Sequence, residues 1–156
     1  MGFRPVKHRS FKVIHRESVA STNDEAQLLA DSGAPDRMVV WADMQTAGKG
    51  RRGRNWSSPI GNMYVSLILR PQCELSRAAQ ISFVAALGLG DAISQFVAPE
   101  RITNKWPNDV LIDGKKVAGI LLESSSSGWA KLAGSLLGAV QTSQAFRISR
   151  IMRQLA

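Results

Sequence analysis

The stretch Gln45-Thr-Ala-Gly-Lys-Gly-Arg-Arg-Gly-Arg-Asn-Trp-Ser-Ser-Pro-Ile-Gly61 concentrates groups suited to holding an anion. Its glycines let the backbone approach a phosphate or carboxylate and take positive φ. Arg51, Arg52 and Arg54 carry forked donors, and Trp56 has a face on which a base can stack. Gly48, Gly50 and Gly53 satisfy G-x-G-x-x-G. The dinucleotide-binding motif also needs a helix directly after the loop, and Asn55, Pro59 and Gly61 oppose one. A P-loop is excluded as well: Gly50 follows Gly48-Lys49 where Ser or Thr is required, and Asp43 stands where the first glycine belongs. Two readings stay open, a flexible anion clamp and a solvated or RNA-contacting arginine tract.

Two further segments carry polar groups that matter. Asn104-Lys-Trp-Pro-Asn-Asp109 sets Lys105 beside a proline expected to hold the chain extended around Trp106. Ser21-Thr22-Asn23 opens a helical pattern, and a helix cap accounts for it as well as a ligand site does.

The elements that position these groups follow from periodicity. Phe11–His15 reads as a strand and Met38–Ala42 as a buried one. Between them Ser21 caps a helix reaching about Ser32, stopped by Gly33 and Pro35. Thr46–Gly61 reads as a long loop and Met63–Leu69 as a strand. Ser76–Val97 reads as one helix burying Ile81, Val84, Ala85, Gly88, Leu89, Ala92, Ile93 and Phe96. Val110–Ile112 and Val117–Leu122 flank Asp113-Gly114, the signature of a hairpin. The mixture lacks regular βαβ alternation, so the expected class is α+β, a mixed sheet flanked by helices.

Composition narrows the function classes. With 156 residues and 44% hydrophobic content the chain can bury a core and is not a disordered tail. A single cysteine, Cys73, excludes a disulfide framework and fits a reducing, cytoplasmic setting. No apolar run reaches the ~20 residues that span a bilayer, and no apolar stretch follows the basic N-terminus as a secretory leader requires. The net charge is +8, but residues 1–16 hold five cations and no acid, and residues 129–156 hold four cations and no acid. The surplus sits at the two ends, so it is poor support for a nucleic-acid groove.

The segments together say more than each alone. Ser-Thr-Asn, then Gln-Thr-x-Gly-x-Gly-Arg-x-Gly-Arg-x-Trp, then Lys-Trp-Pro-Asn-Asp, then Lys-(x)-Gly-Ile-Leu-x-Glu, in this order, resemble the biotin–protein ligases from about Val13 to Glu123. The resemblance implies the catalytic domain shared by biotin and lipoate ligases, similar to class II synthetases. It also implies an enzyme that forms biotinyl-5′-AMP from biotin and ATP with Mg2+. Biotin would then pass to a lysine of a biotin carboxyl-carrier domain. By the same resemblance Ser21, Thr22, Asn23 and Gln45 serve the biotin ring, with Lys49, Gly50 and Arg51 around the ligand. Arg51 and Lys105 are the catalytic cations, Lys105 bridging the biotin carboxylate and the α-phosphate. Arg52, Arg54 and Trp56 serve the nucleotide, Trp56 over the adenine. No protein-held metal is expected. Lys49 stands where the family usually has Arg, which keeps the charge and loses the fork. About 20 residues precede Ser21, too few for a helix-turn-helix, so no DNA binding is expected. The competing readings are a lipoate or other acyl ligase on the same fold and a basic nucleic-acid-binding module.

After Ser124–Gly128 the resemblance stops. The family continues with a strand and Gly-x-Gly-x-Asn-Val, where this chain has Trp129–Ile148. Read one base out of frame, with free third bases, Trp-Val-(Val/Ile)-(Val/Ile)-Gly-x-Gly-Ala-Asn-Val becomes available. The expected division is therefore 1–123, the front part of the catalytic domain, and 124–156, a divergent tail, read as out of frame from about Ser125–Lys131 onward, that truncates the domain. Without the next strand, Val117–Leu122 would form an open apolar edge, the pocket would lose a wall, and ligase activity would be weak or absent.

Overall fold

The computed structural model describes residues 11–73, 75–78, 80–124 and 130–136. The basic N-terminus, and the stretch 139–148 to which the alternative frame assigns Gly-x-Gly-x-Asn-Val, lie outside them. Seven strands form one sheet: β1 (Lys12–Val19), β2 (Met38–Gln45), β3 (Met63–Leu69), β4 (Ile102–Lys105), β5 (Asp109–Ile112), β6 (Lys115–Ser124) and β7 (Ala130–Leu136). Their order is β1-β2-β3-β7-β6-β5-β4. β1 and β2 run parallel because helix α1 (Thr22–Asp31) makes the crossover; the other neighbours are antiparallel. This is the mixed sheet flanked by helices that the sequence leads one to expect.

Ser21 caps α1 as the sequence indicates. Its Oγ accepts from the backbone N–H groups of Asn23 (3.2 Å) and Asp24 (3.4 Å). Asp24 and Glu25 lie in the first turn, where negative charge complements the helix dipole. Gly33, at φ +86°, ends the helix. Ala26 and Ala30 pack on Val40 and Ile68 and fix α1 over one face of the sheet. Arg70 closes the far end of the helix, its Nη2 donating to the carbonyls of Ala30 (3.0 Å) and Ala34 (2.8 Å). A part-buried cation serving terminal helix carbonyls stabilises by hydrogen bonding and by the dipole. Arg70→Met is expected to lower the unfolding free energy by about 1–3 kcal/mol, measured as a shift in denaturant midpoint at unchanged slope.

Three expectations about the elements are corrected. The helix expected over Ser76–Val97 is two pieces, α2 (Leu75–Ala78) and α3 (Ile81–Ser94). The buried residues of α3 are Ala86, Gly90 and Ile93, while Val84, Gly88 and Ala92 are exposed. Residues 81–93 are apolar almost throughout, so several stripes fit the 3–4 spacing equally. The side that packs is the one carrying Ala86, Gly90 and Ile93, with Gly90 next to Asn104 of β4. Second, Trp106 and Pro107 lie in a turn with a cis peptide bond joining β4 to β5, not in an extended stretch.

The third correction concerns the sheet edge. β7 inserts between β3 and β6, with Ala130 opposite Leu69 on one side and Ser124 on the other. β6 is thus an interior strand, and the edges are β1 and β4. An interior strand gains backbone hydrogen bonds on both sides, so Ala-Lys-Leu-Ala-Gly-Ser-Leu joins the sheet without the hydropathy that marks a strand by itself. The open edge, the structural ground for expecting a missing pocket wall, is absent.

The β5–β6 hairpin turns at Asp113 (φ 50°) and Gly114 (φ 73°), both left-handed as a two-residue primed turn demands. Arg101 clamps this turn through Nε at 3.0 Å from Asp113 Oδ1 and holds the carboxyl below the usual range. Ile93 of α3 packs with Val110, Ile112, Val117 and Ala118 in a second core cluster.

Candidate functional site

Where the N-terminus of α1 meets the end of β2, three side chains lock together. Gln45 Oε1 accepts from the Thr22 backbone N–H (2.8 Å) and the Thr22 hydroxyl (3.1 Å), and Gln45 Nε2 donates to Ser58 Oγ (2.9 Å). Ser66 Oγ donates to Thr22 Oγ1 (2.9 Å) from β3. Ser21, Thr22 and Asn23 are all buried. Asn23 Nδ2 donates to Glu123 Oε2 at the far end of β6.

The segment after Gln45 folds back on itself through backbone bonds. Gln45 bridges to Ser58 and Lys49 to Asn55, in antiparallel fashion. The Trp56 N–H donates to the Gly48 carbonyl (2.8 Å) and the Gly50 N–H to the Arg54 carbonyl (2.7 Å). Arg51–Gly53 form a tight helical turn at the tip, with Arg52 at φ 58° and Gly53 at φ 70°. A Cβ added at Gly48 would stand 2.5 Å from both Ser58 Oγ and the Trp56 carbonyl oxygen, so glycine is required there by close approach. Tyr64 steadies the return of the loop, its hydroxyl donating to the Pro59 carbonyl (2.9 Å). Burial pushes its phenol pKa up, partly opposed by hydrogen bonds with Asn62 and Ser58.

Loop, helix end and β5–β6 enclose a cleft of about 280 Å³. Ser21, Thr22, Asn23, Gln45, Lys49, Gly50, Arg51, Arg54 and Trp56 all line it. Arg52 and Lys105 do not. Arg52 is exposed at the loop tip, and Lys105 is exposed at the end of edge strand β4. The structure therefore does not bring the expected catalytic lysine to the cleft; another one lines it. Lys116, on β6, sits with Nζ 2.7 Å from Asp109 Oδ1 and 4.8 Å from the centroid of the Trp56 ring. Its part-buried carboxylate partner and aromatic neighbour fix the position of the cation.

Asn108, Asp109, Lys116, Gly119, Ile120 and Leu121 are lining residues that the sequence reading passed over. Asn108 and Asp109 close the Lys-Trp-Pro-Asn-Asp segment, in which Lys105 is the more conspicuous charge. Lys116 lay in the Lys-(x)-Gly-Ile-Leu segment. Asn108 ties the two sides of the site: its Oδ1 accepts from Arg51 Nη1 (3.2 Å), and its Nδ2 donates to the Ile120 carbonyl (2.9 Å). Lys49 is held at 2.7 and 2.8 Å by both oxygens of Asp24, outside the buried part of the site. Arg51 meets a neutral amide oxygen, so its charge stays available to an anion. One cleft thus combines fixed neutral polar groups, apolar wall from Ile120, Leu121 and Trp56, and cations from two elements. Such a site can orient a small neutral ring and hold a carboxylate against a phosphate. No described helix is long and apolar enough to cross a membrane.

The chain is similar to known proteins in sequence and in fold. The chain is 56% identical over 109 residues to a protein named biotin--[acetyl-CoA-carboxylase] ligase from Paracoccus denitrificans, a match covering 69% of this chain and 45% of that one. It is 43% identical over 112 residues to the bifunctional ligase/repressor BirA of Bacillus subtilis, covering 71% of this chain and 34% of that one. The crystal structure of a biotin protein ligase from Leishmania major in complex with biotinyl-5-AMP superposes with a TM-score of 0.71 at 26% identity, over 80% of this chain and 56% of that one. The chain spans less than half the length of these two curated relatives. Residues 16–148 match the biotin/lipoate A/B protein ligase family, and with most of its length inside that match the chain belongs to it.

Proposed function

We propose that the cleft binds biotin and Mg-ATP and joins them as biotinyl-5′-AMP, from which biotin passes to a lysine of a carboxyl-carrier domain. The observation that carries this is the convergence of Ser21–Asn23 and Gln45 with Arg51, Arg54 and Lys116 in one cleft. In the first step a biotin carboxylate oxygen bonds to the α-phosphorus of ATP and pyrophosphate leaves. Two anions must approach, and fixed cations lower that barrier. Lys116, held by Asp109, takes the bridging role and lines the same cleft as Arg51. Mg2+ enters as part of the nucleotide substrate. Trp56 offers its ring to the adenine. In the second step the neutral amine of the carrier lysine attacks the acyl carbon and AMP leaves. Lys49 presents one ammonium in place of a fork and so holds the adenylate less tightly than an arginine would; turnover is expected to be weaker than in a ligase with arginine there.

Biotin is favoured over lipoate because Asn23 Oδ1, buried and without a hydrogen-bond partner, can accept from a cyclic urea, whereas a dithiolane ring leaves it unpaired. The reactants and the single free thiol suit the cytoplasm, and no DNA partner is proposed. The test is exchange of labelled pyrophosphate into ATP by the purified chain. Exchange that requires biotin and is not supported by lipoate is expected. Exchange driven by lipoate, or none with biotin, overturns the reading.

A further inference from the structure

At the end of the cleft formed by α1 and β2, almost every polar atom has a partner within the protein. Gln45 spends its oxygen on Thr22 and its nitrogen on Ser58, and Thr22 Oγ1 accepts from Ser66. Asn23 differs. It is 4% exposed, it lines the cleft, and its Oδ1 is buried with no hydrogen-bond partner. Its other half, Nδ2, donates to Glu123 Oε2 across 100 residues of chain.

An amide side chain can present either end, since oxygen and nitrogen occupy nearly the same shape. An ionised carboxylate removes the choice, because it only accepts hydrogen bonds. Bonded to Glu123, Asn23 commits its NH2 to the carboxylate and keeps its oxygen as the unsatisfied acceptor. A buried acceptor without a partner is costly in the empty site and is relieved by a ligand that brings an N–H.

We propose that Glu123 is a positioning residue that fixes the Asn23 amide so that Oδ1 receives a ureido N–H of the ligand. This rests on the biotin reading above, and it adds a residue that never touches the ligand. Without the carboxylate the amide can rotate by half a turn and set its own N–H groups against those of the urea.

The test is calorimetric titration of the wild-type chain, Glu123→Gln, Asn23→Ala and the double variant. The ligands are biotin and biotin methylated at one or the other ureido nitrogen. Glutamine keeps the shape and can donate or accept, so it frees the amide to turn. Glu123→Gln is expected to weaken biotin about tenfold, the scale of one neutral hydrogen bond. One of the two methylations should cost about tenfold in the wild type and less than about threefold in Glu123→Gln, since the contact it removes is already lost. In the Asn23→Ala background, Glu123→Gln should have no further effect. Unchanged biotin affinity in Glu123→Gln overturns the proposal. So does an equal loss for biotin and both analogues, which marks a merely structural role, and so does a persisting effect in the Asn23→Ala background. Absence of biotin binding by the wild-type chain is a separate result, which removes the biotin reading and this inference with it.

Discussion

Lys116→Gln is expected to weaken binding of a non-hydrolysable biotinyl-adenylate analogue by about 100-fold, with Lys105→Gln changing it by less than about threefold. Glutamine removes the charge while leaving a polar group that can donate to the Asp109 carboxylate, which limits the destabilisation that an unpaired, part-buried carboxylate would cause. The effect is large because the charge is fixed before the ligand arrives. Asp109 Oδ1 lies 2.7 Å from Nζ and the Trp56 ring lies beneath the ammonium, so little reorganisation is needed on binding. Lys105 has no such setting: it is exposed on the outermost strand of that side of the sheet. Equilibrium titration of both variants decides between them, and a large loss from Lys105→Gln with none from Lys116→Gln would reverse the assignment.

Gly48→Ala is expected to reduce biotin affinity by about 100-fold or more, whereas Gly53→Ala in the same loop costs only a few-fold. A methyl group at position 48 would meet Ser58 Oγ and the Trp56 carbonyl, each at 2.5 Å. Neither can step aside freely, since the first is held by Gln45 and the second is backbone whose own N–H is bonded to the Gly48 carbonyl. Relief requires opening the loop, which withdraws Gly50, Arg51 and Trp56 from the cleft together. Gly53 has open space around it, so an alanine there meets only the backbone cost of φ 70°, about 1 kcal/mol. The pair separates shape from flexibility: titration with biotin, alongside thermal melts of each variant, should show the loss of affinity at position 48 exceeding any loss of stability. Equal effects at both positions would mean that the loop is not required in its closed form.

The parts legible in the sequence are those set by local chemistry. Ser21 caps α1, Gly33 ends it, Asp113-Gly114 turns the hairpin, and Met63–Leu69 is β3 to the residue. Nine of the cleft residues also followed from the resemblance that the motifs carry to the biotin–protein ligases. What stayed hidden depends on long-range register. Lys105 and Lys116 are both exposed-looking lysines beside strands, and only the β5–β6 pairing shows which faces Asp109 and Trp56. β7 carries no strong hydropathy and is defined by the two neighbours that flank it. The face of α3 is ambiguous in the sequence because nearly all of it is apolar, so periodicity alone does not choose the side that packs.

Every role proposed for the cleft residues depends on biotin binding there. Thermal unfolding of the wild-type chain with biotin and, separately, with lipoate tests that directly, because a ligand bound to the native state stabilises it, by about 2.7 kcal/mol at 100 times its dissociation constant. A midpoint that rises with biotin concentration and is unmoved by lipoate is the predicted result; no rise with biotin, or an equal rise with both, contradicts it.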